Sequence, residues 1–154
     1  MLKHVTLVFL RRDGEILLAM KKVRFGAGKW NGAGGKVELG ETYEQAATRE
    51  CQEEIGVTPH ALQKVGELHF YGLPDVEHYC HIYVTTEWDG TPRESEEMRP
   101  QWFKLGDIPY GDMWPDDKFW LPKLLNGTRF KGRVVINEDN TLHSADIETV
   151  ATLP

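Results

Sequence analysis

The chain has 154 residues, with 18 lysines and arginines against 24 aspartates and glutamates, a net charge of −6 with histidines neutral. That length suits one domain, which would bury about 70% of its unfolded surface, and a composition 40% hydrophobic and 27% charged is that of a soluble globular protein. The negative balance speaks against a coat for duplex nucleic acid, no apolar run nears the ~20 residues of a membrane span, and Cys51 and Cys80 are too few for a disulfide framework or zinc cluster.

Taken in chain order, residues 4–11 and 15–22 are β-rich runs joined at Asp13-Gly14, a hairpin signal. Residues 25–35 (FGAGKWNGAGG) form a glycine-rich loop with two aromatics. It is not a phosphate-binding Walker loop, since no Gly-Lys-Ser/Thr ends it. The spacing of Ala47, Cys51 and Ile55 predicts a helix over 42–55, opened by a Thr42/Gln45 capping box and stopped at Gly56. Residues 65–71 and 79–87 form a strand pair, connected through 72–75. A short strand follows at 101–105, then a helix at 115–125 ending near Gly127, and a last strand pair at 129–136 and 142–150. There is no repeat or linker, so residues 1–154 read as a single domain. The mixture lacks strict βαβ alternation and predicts an α+β fold, with helices on the faces of a twisted mixed sheet.

The first helix is unusually acidic. Glu50, Glu53 and Glu54 fall within about 100° of arc beside the apolar stripe, with Glu41 and Glu44 nearby. Such crowding needs a cation. Arg49, four residues before Glu53, supplies one, and a hard divalent ion with an affinity for oxygen is the other natural answer. A solvated helix face is the competing reading. The six histidines (His4, His60, His69, His78, His81 and His143) show no metal-ligand spacing, and His78 and His81 should face opposite sides of their strand.

The spacing favours the metal. Gly35, five residues, Glu41, seven residues, then Arg49-Glu50-Cys51-Gln52-Glu53-Glu54-Ile55-Gly56-Val57 resembles the Nudix box, G-x5-E-x7-R-E-U-x-E-E-x-G-U with U a bulky aliphatic. Eight of its nine defined positions are met, and the ninth holds Cys51. A small buried hydrophobe there keeps the stripe intact. The resemblance implies the Nudix fold, a sheet sandwiched between helices, and hydrolysis of a nucleoside diphosphate linked to another moiety. It further implies Glu50 and Glu54 as principal Mg²⁺ ligands, with Mn²⁺ a possible substitute, and Glu53 as a further ligand or electrostatic support. Arg49 would orient the carboxylates with Glu41 as its partner. Gly34 and Gly35 would let the backbone come close, a Gly34 carbonyl completing the coordination.

Further stretches resemble one branch of that family, the MutT-like diphosphatases of oxidised purine nucleoside triphosphates. They include Trp30-Asn31-Gly32, Glu97-Met98-Arg99-Pro100, and Met113-Trp114-Pro115-Asp116-Asp117, within a match covering most of residues 4–136. By that resemblance Trp114 stacks on the base, and Asp116 and Asp117 read its edge. Two adjacent carboxylates in an apolar pocket cannot both ionise, so together they offer a donor and an acceptor. The same Pro-Asp-Asp run is also a good first helical turn. Asn31 is carried over as a second base contact, Thr6, Phe25, Phe70, Met98 and Trp120 as pocket wall, with core packing the alternative. Lys21 and Lys36 are candidates for ligand and phosphate contacts, against the reading of solvated lysines. Glu97 is carried over as metal ligand or general base. Ala33 stands where that branch has a bulkier aromatic, a position bearing on pocket width.

The expectation is a monomeric, cytoplasmic, Mg²⁺-dependent diphosphatase acting on a small-molecule nucleotide, with neither duplex nucleic acid nor membrane as partner. The alternatives are a Nudix enzyme for dinucleoside polyphosphates or nucleotide sugars, and a non-catalytic Nudix-fold binding module.

Overall fold

Gly14, at a left-handed φ of 66°, turns the chain between β1 (Leu2–Arg12) and β2 (Glu15–Lys21). The computed structural model describes residues 2–72 and 77–154. The hairpin expected here forms only at its base, where Arg11 pairs with Ile16 and Arg12 with Glu15. Beyond that the strands part. One edge of β1 pairs in parallel with β6 (Glu77–Thr85) from Leu2 to Leu10. The other edge is taken by the end of the glycine-rich loop, whose Ala33 and Gly35 carbonyls accept from the Val8 and Thr6 N–H groups at 2.7 and 2.9 Å. β2 pairs instead with β3 (Trp30–Asn31) and β8 (Met98–Lys104).

β5 (Gln63–Tyr71) runs antiparallel to β6 and parallel to β9 (Phe130–Ile136), and β10 (Leu142–Thr149) closes the edge antiparallel to β9. The strand order is β10-β9-β5-β6-β1-β2-β3, with β8 also on β2. Both expected strand pairs are present. The connection expected at 72–75 lies, beyond Gly72, outside the described residues. Sequence patterning missed β3 and a small ribbon of β4 (Thr58–His60) with β7 (Glu87–Asp89), segments too short to show alternation. It also began the strand at 101 where β8 begins at Met98, because Pro100 reads as a breaker yet is accepted opposite Ala19.

α1 (Tyr43–Ile55) is capped as its sequence dictates: Gln45 N–H donates to the Thr42 hydroxyl at 3.1 Å, and the Gln45 amide oxygen accepts from Thr42 N–H at 2.9 Å. Gly56, at φ 73°, ends it. α2 (Asp117–Leu125) starts two residues later than expected. Asp116 holds the capping position but makes no side-chain cap, because its carboxylate accepts from the Trp120 indole N–H at 2.7 Å instead.

The sheet has a core on each face, as the alternation of side chains along a strand requires. On the α1 face Val8, Leu10 and Tyr83 pack on Ala47, Cys51 and Ile55. On the α2 face Phe9, Leu68, Cys80 and Ile82 pack on Trp120, Leu121 and Leu124. Ala33 belongs to the α1 face, so its small size does not widen the space beneath α2. The α1 face also buries an ionic cluster. Lys64 Nζ donates to Glu67 at 2.7 Å and sits 3.0 Å from His81 Nδ1, and Tyr79 donates to Glu67 at 2.6 Å. Burial, with the Lys64 ammonium beside it, pushes His81 down to about 4, so it is a neutral acceptor. No helix among the described residues is long and apolar enough to cross a membrane.

Candidate active site

The glycine-rich loop is folded back by left-handed residues, Arg24, Gly26 and Gly28. The Gly28 N–H donates to the Lys21 carbonyl at 2.8 Å, which returns the chain so that Trp30 and Asn31 can pair with Met20 and Ala19. The chain then lies along β1, where two glycines are required by contact. A Cβ on Gly34 would stand 1.8 Å from the Thr6 carbonyl oxygen, and one on Gly35 would stand 2.6–2.8 Å from the Glu50 carboxyl group. This is the junction between the sheet and the acidic helix.

Arg49 organises the acids. Its guanidinium donates to Glu41 at 2.7 and 3.0 Å, to Glu50 at 2.9 Å, to Glu53 at 3.3 Å, and to the Lys36 carbonyl at 3.0 Å. The Arg49 hydrogen bonds, with a backbone N–H from Glu38, hold Glu41 down to about 2. Glu54 is buried and accepts from the Gly34 N–H at 2.8 Å. Burial pushes its carboxyl up to about 8 despite that bond, and the neighbouring Glu50 and Glu97 charges add to the rise. Burial raises Glu50 as well, against the pull of Arg49. Glu53 is largely exposed, and Glu97 is held by Arg24 at 2.9 Å.

Both carboxyl groups are raised by burial, and the Glu50 charge raises Glu54 further, so the pair is short of positive charge, and its oxygen-only donor set suits a hard divalent cation. The residues fit such an ion, though not as a finished cage. Among the described residues no three acidic, histidine or cysteine side chains are grouped as a ready ligand cluster. The carboxylates rest on three different partners, Glu50 and Glu53 on Arg49, Glu54 on Gly34 and Glu97 on Arg24. Lys36 is exposed, with its side chain outside the cavity described next; its contribution to the site is the carbonyl that fixes Arg49.

On the other side of the junction a cavity of about 210 Å³ opens between the sheet and the start of α2. Thr6, Lys21, Phe25, Asn31, Phe70, Met98, Trp114, Asp116, Asp117 and Trp120 all line it, with Gly34 and Gly35 at the end nearest the acids. Phe25 packs on Trp114 with ring centres 5.2 Å apart, and Lys29 Nζ lies 5.2 Å from the Trp114 ring centre. Asp116 and Asp117 are 0% and 2% exposed. Asp116 Oδ1 and Asp117 Oδ2 have no hydrogen-bond partner among the described residues. Burial raises both carboxyl groups, and the Asp116 charge raises Asp117 further, so Asp117 keeps the proton while the Trp120 indole favours the charge on Asp116. Sequence reasoning missed Lys29, His78 and Ile136 as cavity residues. None of the three stands in a motif that could have pointed to it.

The family model described as NUDIX domain matches residues 2–124. The chain is similar to an oxidized purine nucleoside triphosphate hydrolase of Mus musculus, 46% identical over 147 residues, covering 94% of each chain. It is also similar to the protein of that name from Danio rerio, 50% identical over 131 residues and covering 84% of each. In fold it resembles the crystal structure of a mutator MutT protein from Bacillus halodurans, with a TM-score of 0.85 at 24% identity over 95% of this chain and 97% of that one.

Proposed function

Because the chain belongs to the Nudix family, we propose that it is a nucleoside triphosphate diphosphatase for oxidised purine nucleotides. Substrates of the 8-oxo-dGTP and 2-hydroxy-dATP type, deoxy or ribo, would be hydrolysed to the monophosphate and pyrophosphate, with Mg²⁺ as cofactor and Mn²⁺ as a possible substitute. The observation that carries this reading is the buried Asp116–Asp117 pair, one acid and one carboxylate, each with an unpartnered oxygen beside the Trp114 indole. Nothing in a dinucleoside polyphosphate or nucleotide sugar in general calls for such a pair. A binding module would not need four intact box glutamates.

In this reading Trp114 stacks on the purine, a contact worth ~1–3 kcal/mol. Asp117 donates to the base edge and Asp116 accepts from it, and the Asn31 amide supplies a second polar contact. Thr6, Phe25, Phe70, Met98 and Trp120 shape the wall, and Lys21 meets the ligand at its charged end. The phosphates leave the cavity past Gly34 and Gly35, where Glu50, Glu54 and Glu53, with the Gly34 carbonyl, would hold the cation. When bound, that ion neutralises phosphate charge and acidifies the attacking water. To hold a cation Glu54 would have to be ionised, and Arg49, fixed by Glu41, steadies Glu50. Glu97 serves as a further ligand or as the base that takes the water proton. Water attacks a phosphorus of the α–β bridge, the bridging P–O bond breaks, and pyrophosphate departs. The working unit is one chain, in the cytoplasm where the precursor pool is made.

The test is a panel of normal and oxidised nucleoside triphosphates with Mg²⁺, scoring pyrophosphate against orthophosphate. The expected result is preferential turnover of the oxidised purines with pyrophosphate released. Equal turnover of dGTP and 8-oxo-dGTP would refute the sanitising role, and orthophosphate alone would refute the bond assignment.

A further inference from the structure

Beyond the aspartate pair, one polar group in the cavity wall has no structural employment. His78 lines the cavity, yet its buried Nδ1 has no hydrogen-bond partner among the described residues. A buried polar atom left unpartnered is destabilising, and the buried His81 by contrast has both ring nitrogens engaged, with Lys64 and His4. Burial and the charge of Lys3 keep His78 neutral, so it can offer a donor or an acceptor by choice of tautomer.

Its place in the sheet says which part of a ligand it meets. His78 sits on β6 opposite Phe70 of β5 and Lys3 of β1. It stands two residues, ~6.6 Å along the strand, from Cys80 on the same face, and His78, Cys80, Asp116 and Asp117 line one cavity. The Gly34–Gly35 junction lies across β1 from β6, about 10 Å away by strand spacing. His78 therefore lies, with Phe70 and Ile136, on the side of the cavity away from the Gly34–Gly35 junction.

We infer that His78 is a further base-reading residue beside Asp116, Asp117 and Asn31, whose neutral imidazole hydrogen-bonds an exocyclic oxygen or amino group on the purine edge turned away from the triphosphate. This rests on the base-pocket reading above and sharpens it: the preferred substrate carries a polar substituent at that edge, and pocket selectivity has a component independent of the aspartates.

The experiment compares His78→Phe, which keeps a flat ring without the hydrogen bond, with His78→Gln, which restores a donor and acceptor. Steady-state kinetics are read with 8-oxo-dGTP and with the triphosphate of unsubstituted purine, alongside Asp117→Asn. For 8-oxo-dGTP, His78→Phe should raise KM about tenfold with kcat within about twofold. His78→Gln should recover most of that loss, and the unsubstituted purine should show no change. Thermal melting monitors folding, and should His78→Phe melt early, His78→Met is read in the same way. An unchanged KM for 8-oxo-dGTP overturns the inference, as does an equal loss with the unsubstituted purine. If Asp117→Asn alters substrate ranking while His78→Phe does nothing, only the His78 role falls. If neither alters it, the base-pocket reading falls with it.

Discussion

Two adjacent glycines should respond in opposite ways to the same methyl group. In Gly34→Ala the new Cβ would lie 1.8 Å from the Thr6 carbonyl oxygen, a backbone atom that moves only if β1 and the loop separate. That separation breaks three hydrogen bonds, Thr6 N–H to Gly35, Val8 N–H to Ala33 and Ala33 N–H to Val8, at 2.9, 2.7 and 3.2 Å. At ~1 kcal/mol each the loss is ~3 kcal/mol, a fall in Tm of roughly 6–12 °C for a chain of this size. In Gly35→Ala the Cβ instead meets the Glu50 carboxyl group, the far end of a flexible side chain, at 2.6–2.8 Å. The carboxyl swings aside at little cost to folding. A ligand displaced by about 1 Å can cost ~100-fold in turnover, so Gly35→Ala should melt within about 3 °C of wild type while losing ~100-fold in kcat. Thermal melting and pyrophosphate release on the two variants check the pair. Full activity in Gly35→Ala would refute the placement of Glu50 in the catalytic machinery, and an unshifted Tm in Gly34→Ala would refute the close approach of loop to strand.

Without divalent ions, Tm should fall as pH rises from about 5 to about 8. The Glu54 carboxyl is raised from 4.5 to about 8, so its contribution to stability is full below 4.5 and lost as it ionises; the raised Glu50 acts in the same direction. Glu54→Gln or added Mg²⁺ should flatten the slope in thermal melts, and a flat wild-type curve in EDTA would contradict the burial argument. Glu54→Gln should also abolish most turnover while leaving the fold intact by circular dichroism. Asp117→Asn should change the ranking among oxidised purines more than the Mg²⁺ dependence of any one of them, measured as kcat/KM ratios. Far from the site, Lys64→Ala leaves Glu67 buried without its cation and should cost ~3–5 kcal/mol in urea unfolding. Replacing both Lys64 and Glu67 by apolar residues should recover most of it.

Legibility in the sequence followed the range of the interactions concerned. The α1 stripe and its capping box are local, so Ala47, Cys51, Ile55, Thr42 and Gln45 could be placed from spacing alone. The box glutamates and the Trp-Pro-Asp-Asp run were recognisable as motifs, and the fold then brought them to two sides of one junction. The parting of β1 from β2 was not legible, because it depends on the loop at 33–37 and on β6 competing for the edges of β1. Nor was the turning of Asp116 away from its cap toward Trp120, since helix-start chemistry and indole capture use the same residue. Ala33 looked relevant to pocket width by position, yet strand parity sends its side chain to the other face. His78 carries no motif at all. Only burial without a partner singles it out.

Both thiols of the chain are free and packed in its two cores. Cys51 and Cys80 are 0% and 2% exposed. Burial pushes both thiols well up, helped at Cys51 by Glu54 and Glu50 and at Cys80 by Asp116 and Asp117. The thiolate is the form that oxidants attack, and here burial, with the neighbouring carboxylates adding to it, keeps both sulfurs protonated. With neither thiol readily reactive, activity should outlast peroxide doses that inactivate enzymes with exposed cysteines.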